Sequence, residues 1–136
     1  MIKRVSGCGM AVLLSVAIAS MAAGARAEDD SPQPLAGSYQ GQVLNGDDFD
    51  PVLTAFSRNA EGRWSGSYAI GEEEGIETGT LDECGWEAAY LLRCTWTDRY
   101  GTGSVRLLFS TDYRIFRGFW GTDPSDTRMA WDGVKQ

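Results

Sequence analysis

From residue 36 onward, apolar and polar side chains take turns. In 63–70, Trp64, Gly66, Tyr68 and Ile70 fall on one side and Arg63, Ser65, Ser67 and Ala69 on the other. Tyr90, Leu92, Cys94 and Trp96 oppose Arg93 and Thr95, and Val105, Leu107 and Phe109 oppose Ser104, Arg106 and Ser110. Successive side chains of a strand point to opposite faces, so this period of two describes strands with one buried and one wet face. Clusters of Gly, Asp and Asn interrupt the pattern at close intervals, at Asn45-Gly46-Asp47-Asp48, Asn59-Ala60-Glu61-Gly62, Gly71 to Gly75, Asp82-Glu83, Thr97 to Gly101, Thr111-Asp112 and Thr122 to Asp126. Short alternating runs bounded by turn formers predict an antiparallel all-β domain. Strands are expected at 37–44, 51–58, 63–70, 76–81, 85–88, 91–97, 103–110 and 114–121, with 127–132 as a possible ninth.

One segment reads two ways. Residues 86–93 (Trp-Glu-Ala-Ala-Tyr-Leu-Leu-Arg) could form two helical turns. Cys84 and Cys94 favour a hairpin: pairing them centres the turn on Ala89 and sets Trp86 opposite Leu92 on the same face, whereas a helix would rotate the two sulfurs to different sides. A disulfide between them would stabilise the fold by roughly 2–3 kcal/mol, by restricting the unfolded chain. Trp64-Ser65-Gly66-Ser67-Tyr68 and Phe116-Arg117-Gly118-Phe119-Trp120 share the spacing aromatic-x-Gly-x-aromatic. A glycine there leaves room for a ring from the neighbouring strand, a device suited to a strongly twisted sheet or small barrel.

About eight strands joined in sequence form a meander, which closes readily into an up-and-down barrel and so hides its edges. The expected fold is therefore a small antiparallel barrel, with a two-sheet β-sandwich as the alternative. The layout resembles that of the calycin-type barrels, the class that holds lipocalins and streptavidin; the resemblance is one of layout, and no family motif or biotin site accompanies it.

The first 27 residues depart from this pattern. Lys3 and Arg4 precede an apolar run from Met10 to Ala23, and Ala25-Arg26-Ala27 follows, just ahead of Glu28-Asp29-Asp30. A charged start, a short apolar core and an A-x-A exit predict a cleavable export signal at 1–27. The run is shorter than the ~20 residues a membrane helix needs, so no span is expected after cleavage. Residues 28–35 read as a flexible lead-in and 36–136 as one domain. Export to the periplasm or beyond agrees with a disulfide, which persists in oxidising compartments. Cys8 precedes the apolar core and would leave with the signal.

Charge and composition narrow the chemistry. The chain carries 12 basic and 19 acidic residues, and loss of Lys3, Arg4 and Arg26 would make its net charge of −7 three units more negative. Such a charge repels phosphate backbones, and no basic stripe offsets it, so nucleic acid is not an expected partner. Histidine is absent. This removes the usual neutral-pH base, Ser-His-Asp and Cys-His catalysis and imidazole metal ligands. No phosphate loop or dinucleotide fingerprint is present, and no cofactor is expected. Asp47, Asp48 and Asp50 form a weak calcium candidate that departs from the usual loop spacing, since Pro51 and Val52 interrupt it. Glu72-Glu73-Glu74 reads as solvated surface.

The positive clue is aromatic. Five tryptophans in a small barrel fill its interior or line a ligand mouth. The candidate ligand-binding residues are Trp64, Tyr68, Trp96, Trp120 and Arg117. The leading expectation is an exported, non-enzymatic binding module for a small ligand or an envelope protein. A structural envelope accessory without a ligand site is the alternative, and a carboxylate-dependent hydrolase comes third.

Overall fold

The computed structural model describes residues 34–123 and 127–136. The export signal expected at 1–27 and nearly all of the 28–35 lead-in lie outside the described residues. Eight strands follow one another: β1 (Gly37–Asn45), β2 (Asp48–Arg58), β3 (Trp64–Glu72), β4 (Gly75–Ala88), β5 (Leu91–Asp98), β6 (Gly101–Phe109), β7 (Ile115–Gly121) and β8 (Met129–Lys135). Each pairs antiparallel with the next and β8 pairs back with β1, closing an up-and-down barrel. Tyr39 lies opposite Lys135 and Val43 opposite Trp131 at the closure. The sandwich alternative is set aside, because two open sheets would leave edges that this closure removes. Among the described residues, no helix is long and apolar enough to cross a membrane.

The alternation has the expected effect. Tyr68 and Ile70 on β3, Leu92, Cys94 and Trp96 on β5, and Val105, Leu107 and Phe109 on β6 are buried. Their neighbours on the same strands mostly face outward.

Several details refine or differ from the sequence reading. The strands expected at 76–81 and 85–88 are one 14-residue strand, β4. The acidic pair Asp82-Glu83, which resembles a turn, is part of an irregularity in which the register against β5 shifts between Asp82 and Gly85. Glu83 adopts φ of 53° there, and such a bulge bends a strand without ending its ladder. The tract 86–93 is a hairpin, with Trp86 opposite Leu92 as expected; its turn is Ala89-Tyr90, with Tyr90 at φ of 65°. The Cys84–Cys94 disulfide joins β4 to β5 beside the bulge. Leu35, assigned to the lead-in, is buried in the core. An isolated leucine in a polar run gives no periodicity, yet it reaches the barrel interior.

The two ends of the barrel are built differently. At one end, Tyr39, Phe56, Phe109 and Phe116 pack largely edge-to-face, with ring centroids 5.4–6.0 Å apart. The Tyr39 hydroxyl donates to the carbonyls of Leu35 (3.0 Å) and Tyr113 (2.9 Å). The start of β1, the C-terminal residue and the 59–63 and 110–114 loops lie at this end. The other end carries the two-residue turns Gly46-Asp47, Glu73-Glu74 and Arg99-Tyr100 and the 122–128 connection.

Candidate functional site

A pocket of about 110 Å³ enters the barrel at this second end. Its walls include Tyr68, Trp96, Trp120, Trp131 and Tyr100, with Val43 and Ile70 as aliphatic members and Asn45, Glu72, Glu77 and Asp98 as polar members. The lining comes from six of the eight strands (β1, β3, β4, β5, β7 and β8) and from the β5–β6 turn.

Each indole is fixed through its N–H. Trp96 donates to the carbonyl of Gly121 at 2.9 Å, Trp120 to the carbonyl of Leu44 at 3.0 Å, and Trp131 to the hydroxyl of Thr54 at 3.0 Å. Trp96 and Trp120 meet edge-to-face at 5.3 Å, and Tyr68 and Trp131 at 5.0 Å. With their donors committed, what these residues offer a guest is ring surface.

Glycines make this arrangement possible at two points. A Cβ on Gly79 would lie 2.2 Å from Cζ of Tyr68 and 2.7 Å from the carbonyl of Thr97. The bare backbone of β4 thus lets the Tyr68 ring cross to β5, where its hydroxyl donates to Asp98 at 2.7 Å. A Cβ on Gly103 would lie 2.7 Å from Nε1 of Trp96 and 2.0 Å from the Gly121 carbonyl it meets. The expectation that Gly66 and Gly118 clear space for a neighbouring ring applies to Gly66, which faces Phe56, while Gly118 abuts Leu107 and the Arg106 backbone.

The polar members of the lining are mainly acceptors. Burial, then the hydrogen bond and negative charge of Asp98, push the Tyr68 phenol well above its ordinary range, so it remains a neutral donor. The Asn45 amide nitrogen donates to Asp50 at 3.0 Å and to Glu72 at 2.9 Å, drawing two carboxylates together. Glu77 shares the inward phase of Leu81, and its side chain is only 8% exposed. Nε of Arg99 lies 2.7 Å from its carboxylate. The Arg99 guanidinium also lies over the ring of Tyr100, 4.8 Å from its centroid, and donates to the Tyr100 hydroxyl at 2.7 Å. Its pKa is raised, first through that hydrogen bond.

Of the residues picked from the sequence, Tyr68, Trp96 and Trp120 come together at this mouth. Trp64 begins β3 at the opposite end, where Arg58 lies 5.8 Å from its ring centroid. Arg117 is exposed on the outside of β7, opposite Leu108 and Asp132. Asp47 occupies a turn while Asp48 and Asp50 lie in β2, which begins three residues earlier than expected because the β1–β2 turn is only two residues long. Gly46, at φ of 76°, holds the first turn position, where a tight hairpin favours glycine. Among the described residues, no three His, Cys, Asp or Glu side chains are grouped to hold a metal ion. Trp131, Glu77, Asp98 and Tyr100 were not picked. Glu77 had a signal: it stands in phase with Gly79 and Leu81, so a carboxylate was due on the inner face.

No protein-family model matches the chain, and neither a curated protein nor a solved structure shows significant similarity to it.

Proposed function

We propose that the protein is a binding module that holds a small solute in the open end of its barrel, and that it works in the periplasm or outside the cell. The observation that carries this reading is the pocket of about 110 Å³ walled by three fixed indoles and two phenols, with three carboxylates among its lining. Concave, mainly apolar sites with a few placed polar groups are the usual form of a ligand site. Each lining carboxylate already engages a neighbour: Asp98 with Tyr68, Glu72 with Asn45 and Glu77 with Arg99. Such held acceptors suit fixed recognition better than proton shuttling. Export is supported by the Cys84–Cys94 bond.

The second reading, an envelope accessory acting through its outer surface, draws on exposed Leu108, Ile115, Phe119 and Val134. Ile115 lies opposite Val134, and Leu108 is one strand away. An apolar patch without a cavity would favour it; the mouth pocket favours ligand binding.

The test is a thermal-shift and tryptophan-fluorescence screen of small solutes against the mature protein and Ile70→Trp, which puts a bulky ring into the pocket lining. Hits on the first that disappear on the second, with the far-ultraviolet spectrum retained, support the reading. A panel with no hits, or hits indifferent to the filled pocket, overturns it.

A further inference from the structure

Resting on that reading, we propose that the mouth recognises a small organic cation, an amine or quaternary ammonium head, and that Arg99 is a built-in competitor for its place.

The pocket's surface selects for positive charge. The N–H groups of Trp96, Trp120 and Trp131 are spent on the barrel itself, so these side chains present π faces, whose negative quadrupole attracts cations. The Asn45 amide nitrogen is occupied by Asp50 and Glu72, and the Tyr68 hydroxyl by Asp98. The remaining polar capacity is mostly that of acceptor oxygens, chiefly carboxylates, with the Tyr100 hydroxyl as a donor. Phosphate, sulfate or a carboxylic acid would meet like charge here, while a sugar would find few donors.

Arg99 already places a cation at this rim. Its guanidinium bridges the nearly buried Glu77 carboxylate and the Tyr100 ring, the carboxylate-plus-aromatic pairing that an ammonium would use. Arg99 sits in a two-residue turn with its side chain 67% exposed. Only the arginine half of this pair is in water, so it is the partner that can leave, provided another cation takes over the nearly buried carboxylate. An incoming cation can take its place on Glu77 while the arginine swings into water.

Size and field agree. About 110 Å³ admits a compact head rather than a drug-sized molecule, and an open side leaves a tail in solvent. Asp47 in one turn, with Asp48 at the start of β2, and Glu73 and Glu74 in another turn stand at this end of the barrel, concentrating cations there.

The experiment is a tryptophan-fluorescence and calorimetric titration with choline, set beside 3,3-dimethylbutan-1-ol, which has nearly the same shape without the charge. Choline should bind saturably and the alcohol at least about tenfold more weakly. Glu77→Gln should weaken choline by about tenfold, with Asp98→Asn as a second variant should the first fail to fold. Arg99→Gln should tighten choline several-fold. Equal binding of the alcohol, or choline binding that neither carboxylate variant reduces, overturns the cation assignment while leaving a ligand mouth in place. Unchanged affinity in Arg99→Gln overturns the competitor role. If neither probe binds wild type or Arg99→Gln, the cation inference fails; if the wider solute screen is also empty, the binding-module reading fails with it.

Discussion

Both ends of this barrel are aromatic, and they use their rings in opposite ways. At the sealed end, Tyr39, Phe56, Phe109 and Phe116 fill the space with one another, and Leu35 covers them. At the open end the rings also meet in edge-to-face pairs, but each indole N–H is tied to an acceptor in the barrel and a pocket remains among them. Phenylalanine has no such handle and gains most by collapsing inward. Tryptophan can be held back, and a cavity survives between the rings. The two phenols repeat the contrast: Tyr39 donates to backbone carbonyls, and Tyr68 to a carboxylate at the mouth.

Substitutions should therefore separate stability from binding. The largest expected effect is at the sealed end. Phe116→Ala removes a fully buried ring and should cost about 3–5 kcal/mol in urea unfolding, whereas Trp120→Ala, half-buried at the mouth, should cost less than about 2 kcal/mol. Equal losses would erase the distinction between the ends. Next, replacing both Cys84 and Cys94 by serine should lower stability by roughly 2–3 kcal/mol, since the bond closes a short loop.

Tyr39→Phe should cost about 1 kcal/mol at neutral pH. It also carries a pH signature. Burial, with a smaller effect from Tyr113, pushes the Tyr39 phenol up to about 12. A group whose pKa rises on folding contributes fully below its unfolded value and loses that contribution as pH climbs through the folded one. The wild-type barrel should thus lose stability between about pH 10 and 12, and Tyr39→Phe should reduce that slope in urea titrations at pH 9 and 11.5. A slope left intact would mean Tyr39 remains protonated or is already exposed. The smallest effect is expected from Arg99→Gln, which should cost less than about 1 kcal/mol in urea unfolding, because Arg99 is mostly in water and the Glu77 carboxylate it leaves lines the mouth.

Much of the barrel was legible because burial follows a period of two. Val105, Leu107 and Phe109 on β6 announced an inward face, and the cysteine spacing decided for a hairpin at Trp86. The bulge at Glu83 was hidden because acidic residues mark turns and bulges alike. The site was half legible for a related reason. Periodicity gives the face on which a side chain lies and says nothing of its height along the barrel. Trp64 and Tyr68 share a phase, yet only Tyr68 stands at the mouth. Arg117 alternates with Phe116 and Gly118, so its own spacing already placed it outside. Trp131 belonged to the segment counted as an optional ninth strand, and its role depended on the closure of β8 against β1.

The most direct measurement is a ¹H–¹⁵N spectrum of the five indole N–H groups during a choline titration. The signals of Trp96, Trp120 and Trp131 should move together and saturate, while those of Trp64 and Trp86, which are not part of the mouth, stay in place. Shifts confined to Trp64 or Trp86, or no saturable shift at any indole, would contradict a cation-binding mouth.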